Sequence, residues 1–164
     1  MVEAEPSSTG ASEPVREAVT MALYVCIVLI AEFVALGQEI ESERAAVAVI
    51  WGTTVGLALA HVFAFNLAAR LLAAGAVGAE SRKAALAQLV SAFAVAALVT
   101  IPFTVLSLDA GLDVAAFLAT GIVGLTAYLA SRNAGAGRSR ALVEGAVVLL
   151  VGAVLVGVKA SLGH

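Results

Sequence analysis

Charged residues, cysteine, proline and aromatic residues are all scarce in this chain of 164 residues. Charged residues make up 13% of it, whereas a typical soluble domain has about 25%. The single cysteine, Cys26, excludes a disulfide or a CxxC metal site within one chain. The nine Lys and Arg residues form no basic run that neutralises a row of phosphates, so nucleic acid is not an expected partner.

Apolar residues are abundant instead, at 62% of the chain, and the mean hydropathy is +1.05. A helix needs about 20 apolar residues to cross a bilayer core about 30 Å thick. Five apolar segments meet this requirement and predict an all-α, polytopic integral membrane protein, a bundle of five transmembrane helices with the lipid bilayer as its surroundings. The predicted spans are residues 19–37, 45–69, 84–108, 114–131 and 141–162.

The chain before the first span is polar and acidic. Residues 1–18 are rich in Ser, Gly, Pro and Glu, and they lack the positive start of a secretory signal. We therefore expect a disordered N-terminal tail at 1–18, followed by a transmembrane domain at 19–164 whose first span is retained.

Positive residues are unevenly divided between the two sides of the predicted bundle. Two lie on one side, Arg44 and Lys159. Seven lie on the other: Arg16, Arg70, Arg82, Lys83, Arg132, Arg138 and Arg140. Because cytoplasmic loops carry the excess of Lys and Arg, this distribution predicts a multi-pass protein of the cell membrane, with its N-terminus in the cytoplasm and its C-terminus outside.

Small residues recur at every fourth position of the second span. They are Ala48, Gly52, Gly56, Ala60, Ala64 and Ala68. Shorter rows occur in the fifth span, where Ala141 precedes Gly145 and Ala153 precedes Gly157. Small residues let transmembrane helices approach closely. Such rows predict helix packing, either within one protomer or at a seam with a second copy or another membrane protein.

Ionisable side chains inside apolar spans are costly, so each is expected to face the bundle interior and find a partner. Four are candidates: Glu32, His61, Glu144 and Lys159. Counting 1.5 Å per residue allows Glu32 to meet Lys159 in the outer half of the bilayer. The same count allows Glu144 to meet Arg70 or Asn66 in the inner half.

Each of these residues also has a structural interpretation. Lys159 is near its helix end and can extend to the headgroups, and Glu144 lies in a first helical turn, where the helix dipole favours an acid. Arg70 suits an anchor at the inner interface. Glu32 and His61 lie deeper, and imidazole exchanges protons near neutral pH. Two histidines are too few for a zinc site within one chain, so neither a metal nor a cofactor is expected.

No Ser, His and acid arrangement, no HExxH and no phosphate-binding glycine loop occurs in the chain, so an enzyme is not the favoured interpretation. The sequence favours a non-catalytic subunit or scaffold of a membrane assembly. The alternative is a proton or small-ion channel or transporter that uses Glu32 and His61. A third hypothesis is an intramembrane enzyme that acts on lipid near Asn66, Arg70 and Glu144.

Overall fold

The computed structural model describes residues 13–37, 39–72 and 79–162, and all regular structure in these residues is helical. The helices are α1 (Glu13–Leu36), α2 (Glu43–Leu72), α3 (Ala79–Thr100), α4 (Pro102–Val105), α5 (Leu108–Asn133) and α6 (Arg138–Leu162). The all-α prediction is confirmed for this part of the chain. Most of the predicted tail, 1–18, lies outside the described residues, but α1 begins at Glu13, inside the segment predicted to be disordered.

Four segments are long and apolar enough to cross a membrane. They are Glu13–Leu36, Glu43–Ala64, Arg82–Val105 and Leu108–Asn133. These coincide with the first four predicted spans, and each exceeds the length that a bilayer core requires. The fifth predicted span falls within α6, which is not among the four. The fifth crossing, and with it the outer location of the C-terminus, stays a prediction.

Helix α1 lies at the centre of the bundle, where it contacts α2, α3, α5 and α6. Met21, Val25, Leu29 and Phe33 are buried at four-residue spacing, which places them along one side of the helix. The most extensive packing joins α1 to α3 and α5 to α6, whereas α2 packs mainly on α3. Helices α2 and α6 therefore lie at the periphery of the described bundle.

Side-chain hydrogen bonds show how the first three long helices run. The indole nitrogen of Trp51 donates to the Thr100 hydroxyl over 3.1 Å, so the start of α2 lies beside the end of α3. The amide of Gln88 donates to the Glu17 carboxylate over 2.7 Å, so α1 and α3 start at the same end of the bundle. Helices α1 and α3 are thus parallel to each other, and α2 is antiparallel to both.

Pro102 interrupts the third span. Proline has no N–H to donate to the Leu98 carbonyl, so the regular helix cannot pass through it. Helix α3 ends at Thr100, and the N–H of Ile101 donates to the Leu98 carbonyl over a long 3.4 Å. The Thr104 hydroxyl donates to the Ile101 carbonyl over 2.7 Å. The Ile101 carbonyl thus accepts both the N–H and the hydroxyl of Thr104, while the Leu98 carbonyl that proline leaves free accepts the N–H of Ile101.

Candidate functional site

The row of small residues on α2 faces away from the rest of the bundle. We call its described part the α2 small-residue face: Ala48, Gly52, Gly56, Ala60 and Ala64, all of them exposed. A Cβ atom added to Gly52 or Gly56 would meet no atom within 4 Å. The opposite side of α2, with Ile50, Thr54 and Ala58, is buried. This row therefore does not pack within the described protomer.

The small residues of α5 and α6, in contrast, pack within the protomer. A Cβ atom on Gly145 would lie 3.2 Å from the carbonyl oxygen of Gly124, and one on Gly124 would lie 2.9 Å from the Leu149 side chain. Ala141, one turn before Gly145, is fully buried. The predicted pair Ala141 and Gly145 thus serves close contact between α5 and α6. The side chains around Gly157 lie outside the described residues.

Glu32 is half-buried and bonds to α2. The Thr53 hydroxyl lies 2.6 Å from Glu32 Oε1 and 2.7 Å from Oε2. Because a hydroxyl carries one proton, it can donate to only one of the two oxygens at a time. The predicted partner Lys159 lies on α6, but its side chain is outside the described residues. Sequence reasoning missed Thr53, although its position near the start of the second span matches the depth of Glu32 near the end of the first.

His61 is half-buried, and it lies seven residues after the buried Thr54, on the same side of α2. Thr53, which contacts Glu32, precedes His61 by eight residues, or about 12 Å along the helix. Glu32 and His61 therefore do not form one contact pair. The described residues contain no group of three or more His, Cys, Asp or Glu that could hold a metal ion.

Glu144 is exposed and forms an ion pair on its own helix. The Nε atom of Arg140, one turn earlier, lies 3.1 Å from Glu144 Oε1. The side chains of the predicted partners Asn66 and Arg70 lie outside the described residues, so that pairing stays a prediction.

Two cavities lie along the contact between α5 and α6. One, the α5–α6 groove, has a volume of about 400 Å³ and is lined by Gly121, Gly124, Tyr128, Leu142, Gly145 and Leu149, among others. The other, the turn cavity, has a volume of about 310 Å³ and lies where the two helices connect, beside Ser131, Gly135, Arg140 and Glu144. Neither cavity is lined by Glu32 or His61.

Comparison of the chain with protein-family models, with curated proteins and with solved structures finds no match.

Proposed function

We propose that the protein is a non-catalytic subunit or scaffold of a membrane assembly, and that the α2 small-residue face docks a transmembrane helix of a partner. The observation that carries this proposal is the open space above Gly52 and Gly56 on an exposed helix. In lipid, apolar side chains gain little by meeting each other, so close backbone approach decides where helices associate. This face offers that approach to a helix from outside the protomer.

The length of the face suits a whole helix. From Ala48 to Ala64 it extends for 16 residues, or about 24 Å of a hydrocarbon core about 30 Å thick. Large apolar side chains, Leu59 and Phe63, project beside it and are 65% and 71% exposed. Side chains of this kind can fill the spaces of a facing helix. The Gly124 and Gly145 contact supports the proposal, because it brings two helices of this chain together by the same means.

The polar contacts between helices suit a structural role. The Glu32 and Thr53 pair joins α1 to α2, and the Glu17 and Gln88 pair joins α1 to α3. Each pair fixes the axial register and the relative rotation of two neighbouring helices. The alternative function, a proton or small-ion channel or transporter, requires Glu32 and His61 to act together, whereas Glu32 bonds to Thr53, eight residues or about 12 Å before His61 on α2.

The proposal includes the location and orientation that the charge distribution predicts. The protein lies in the cell membrane with its N-terminus in the cytoplasm. Exposed Arg132, Arg138 and Arg140 at the connection between α5 and α6 support this orientation, because a basic loop of this kind favours the cytoplasmic side.

We expect Gly56→Leu to weaken association with the partner by about tenfold or more, equivalent to about 1.4 kcal/mol. The first added carbon would meet no atom of the protomer within 4 Å, so we expect folding to be preserved while close helix approach is blocked. The measurement is the amount of partner that co-purifies from native membranes after mild crosslinking. The mass of the crosslinked species distinguishes a second copy of this chain from a different membrane protein.

The matched control is Ala97→Leu, which adds a leucine at an exposed position of another helix, α3. It is expected to leave association unchanged. Equal association of wild type, Gly56→Leu and Ala97→Leu would contradict the proposed seam.

A further inference from the structure

The α5–α6 groove has the dimensions and lining of a site for an acyl chain. Its volume of about 400 Å³ lies within the range of small-molecule sites, about 300–1,000 Å³. On α5 the lining of the groove extends from Tyr128 to Gly121, seven residues or about 10 Å, which is about a third of a hydrocarbon core about 30 Å thick. The groove therefore begins about one helical turn from the connection between α5 and α6 and extends from there towards the middle of the bilayer.

Glycine creates this groove. Gly124 and Gly145 bring the two backbones together at its floor, whereas a Cβ atom on Gly121 would meet nothing within 4 Å. The side chains of Leu142 and Leu149 line it and are 61% and 40% exposed. The α5–α6 groove is thus apolar and opens towards lipid, and a side chain at position 121 would fill it.

The turn cavity adjoins the groove at its membrane-surface end. Helix α5 ends in a Schellman motif, in which Gly135 has φ +83° and the N–H of Ala136 donates to the Ser131 carbonyl over 3.1 Å. The Ser131 hydroxyl is buried and makes no direct hydrogen bond within the described residues, but it lies close enough to the Glu144 carboxylate to lower the pKa of that carboxyl, together with Arg140. A buried hydroxyl of this kind has the capacity to donate to a ligand in the cavity.

The charged groups that line the turn cavity, Arg140 and Glu144, balance each other, whereas the segment around the cavity is positive overall. Residues 131–144 contain three arginines, Arg132, Arg138 and Arg140, and one acid, Glu144. The Arg132 guanidinium donates to the Ala136 carbonyl over 3.0 Å, and Arg140 pairs with Glu144. Arg138 is exposed at the start of α6 and has no ion pair or hydrogen bond among the described residues. Basic sites between transmembrane helices at a membrane surface attract anionic headgroups.

We infer that the groove and the turn cavity together bind one anionic phospholipid from the surrounding membrane. One acyl chain lies in the groove between α5 and α6. The phosphate lies at the turn, beside Arg138 and Arg140, with the Ser131 hydroxyl as a donor. The Glu144 carboxylate lies in the same cavity and holds the Arg140 guanidinium at its edge.

The test uses the full-length protein in detergent and counts bound lipids by native mass spectrometry. The probes are phosphatidylglycerol, phosphatidylcholine with the same acyl chains, and inorganic phosphate. We expect phosphatidylglycerol to bind at least about fivefold more tightly than phosphatidylcholine. Arg138→Gln is expected to weaken phosphatidylglycerol binding by about fivefold and to leave phosphatidylcholine binding unchanged, because one arginine near an anionic headgroup contributes about that much. Gly121→Leu fills the groove and is expected to weaken both lipids by about tenfold.

Ala97→Leu, an added leucine on the exposed side of α3, is the control and is expected to bind both lipids as wild type does. Circular dichroism verifies that each variant is folded. Equal affinity of the wild type for the two lipids would overturn the inference, as would phosphatidylglycerol binding that Gly121→Leu leaves unchanged. Displacement of phosphatidylglycerol by an equal concentration of inorganic phosphate would show that the turn binds free anions, and it too would overturn the lipid assignment.

Discussion

Replacing Gly145 with leucine is expected to force α5 and α6 apart and to lower the free energy of unfolding in detergent by about 1–3 kcal/mol. The first added carbon alone would lie 3.2 Å from the Gly124 carbonyl oxygen and 3.4 Å from Tyr128 Cβ. The oxygen belongs to the backbone of α5 and cannot rotate away, so the whole helix must move. Equilibrium unfolding in mixed micelles, followed by circular dichroism, measures the loss.

Gly121→Leu is the matched control on the same pair of helices. Its Cβ atom would have no neighbour within 4 Å, and leucine also has a higher helix propensity than glycine. In lipid-free detergent we expect Gly121→Leu to unfold at the same denaturant concentration as the wild type or at a higher one. A loss of stability that is the same for the two variants would show that the close contact between Gly124 and Gly145 does not hold α5 against α6.

The second large effect is expected from Thr53→Val. This change removes the hydroxyl that bonds to the Glu32 carboxylate and leaves a half-buried acid without that donor. Loss of a hydrogen-bond partner to a charged group costs about 1–3 kcal/mol. The same unfolding measurement detects the loss, and the additional change Glu32→Gln is expected to recover part of it, because an uncharged amide is less costly to leave in an apolar environment.

Thr54→Val is the control for this experiment. The Thr54 hydroxyl is buried but donates to the Ile50 carbonyl of its own helix over 2.7 Å. That carbonyl is also an acceptor for the backbone hydrogen bonds of the helix, so it keeps a partner when the hydroxyl is removed. We expect the change at position 54 to cost clearly less than the change at position 53. If the two variants lose the same stability, the pair of Glu32 and Thr53 has no special role in joining α1 to α2.

Segment length and hydropathy were sufficient to predict the four helical segments that are long and apolar enough to cross a membrane, because a helix in lipid must be long, apolar and internally hydrogen-bonded. The ends were less accurate. Helix α1 starts at Glu13 rather than near residue 19, since a helix can continue beyond the bilayer into polar sequence. Hydropathy does not detect that extension, whereas an acid in the first turn, here Glu13, is favourable there.

The roles of the small residues could not be predicted from their spacing. The rows around Gly56 and Gly145 follow the same four-residue pattern, yet one is exposed and the other is in contact with a neighbouring helix. The choice depends on how each helix is rotated in the bundle, and this rotation follows from all side chains that pack together. For the same reason, a count of depth along the helices did not identify Thr53 as the partner of Glu32.

The most direct test of the proposed docking face is disulfide crosslinking of Ala60→Cys in native membranes, since Ala60 lies on the α2 small-residue face and the one natural cysteine, Cys26, is fully buried. Val90→Cys serves as the control, because Val90 lies on α3 and is 61% exposed. If a partner helix covers the face, Ala60→Cys joins a second copy or reacts with a bifunctional crosslinker to a distinct protein, while Val90→Cys stays uncrosslinked. Ala60→Cys that stays as uncrosslinked as Val90→Cys would show that α2 faces lipid alone and would contradict the account.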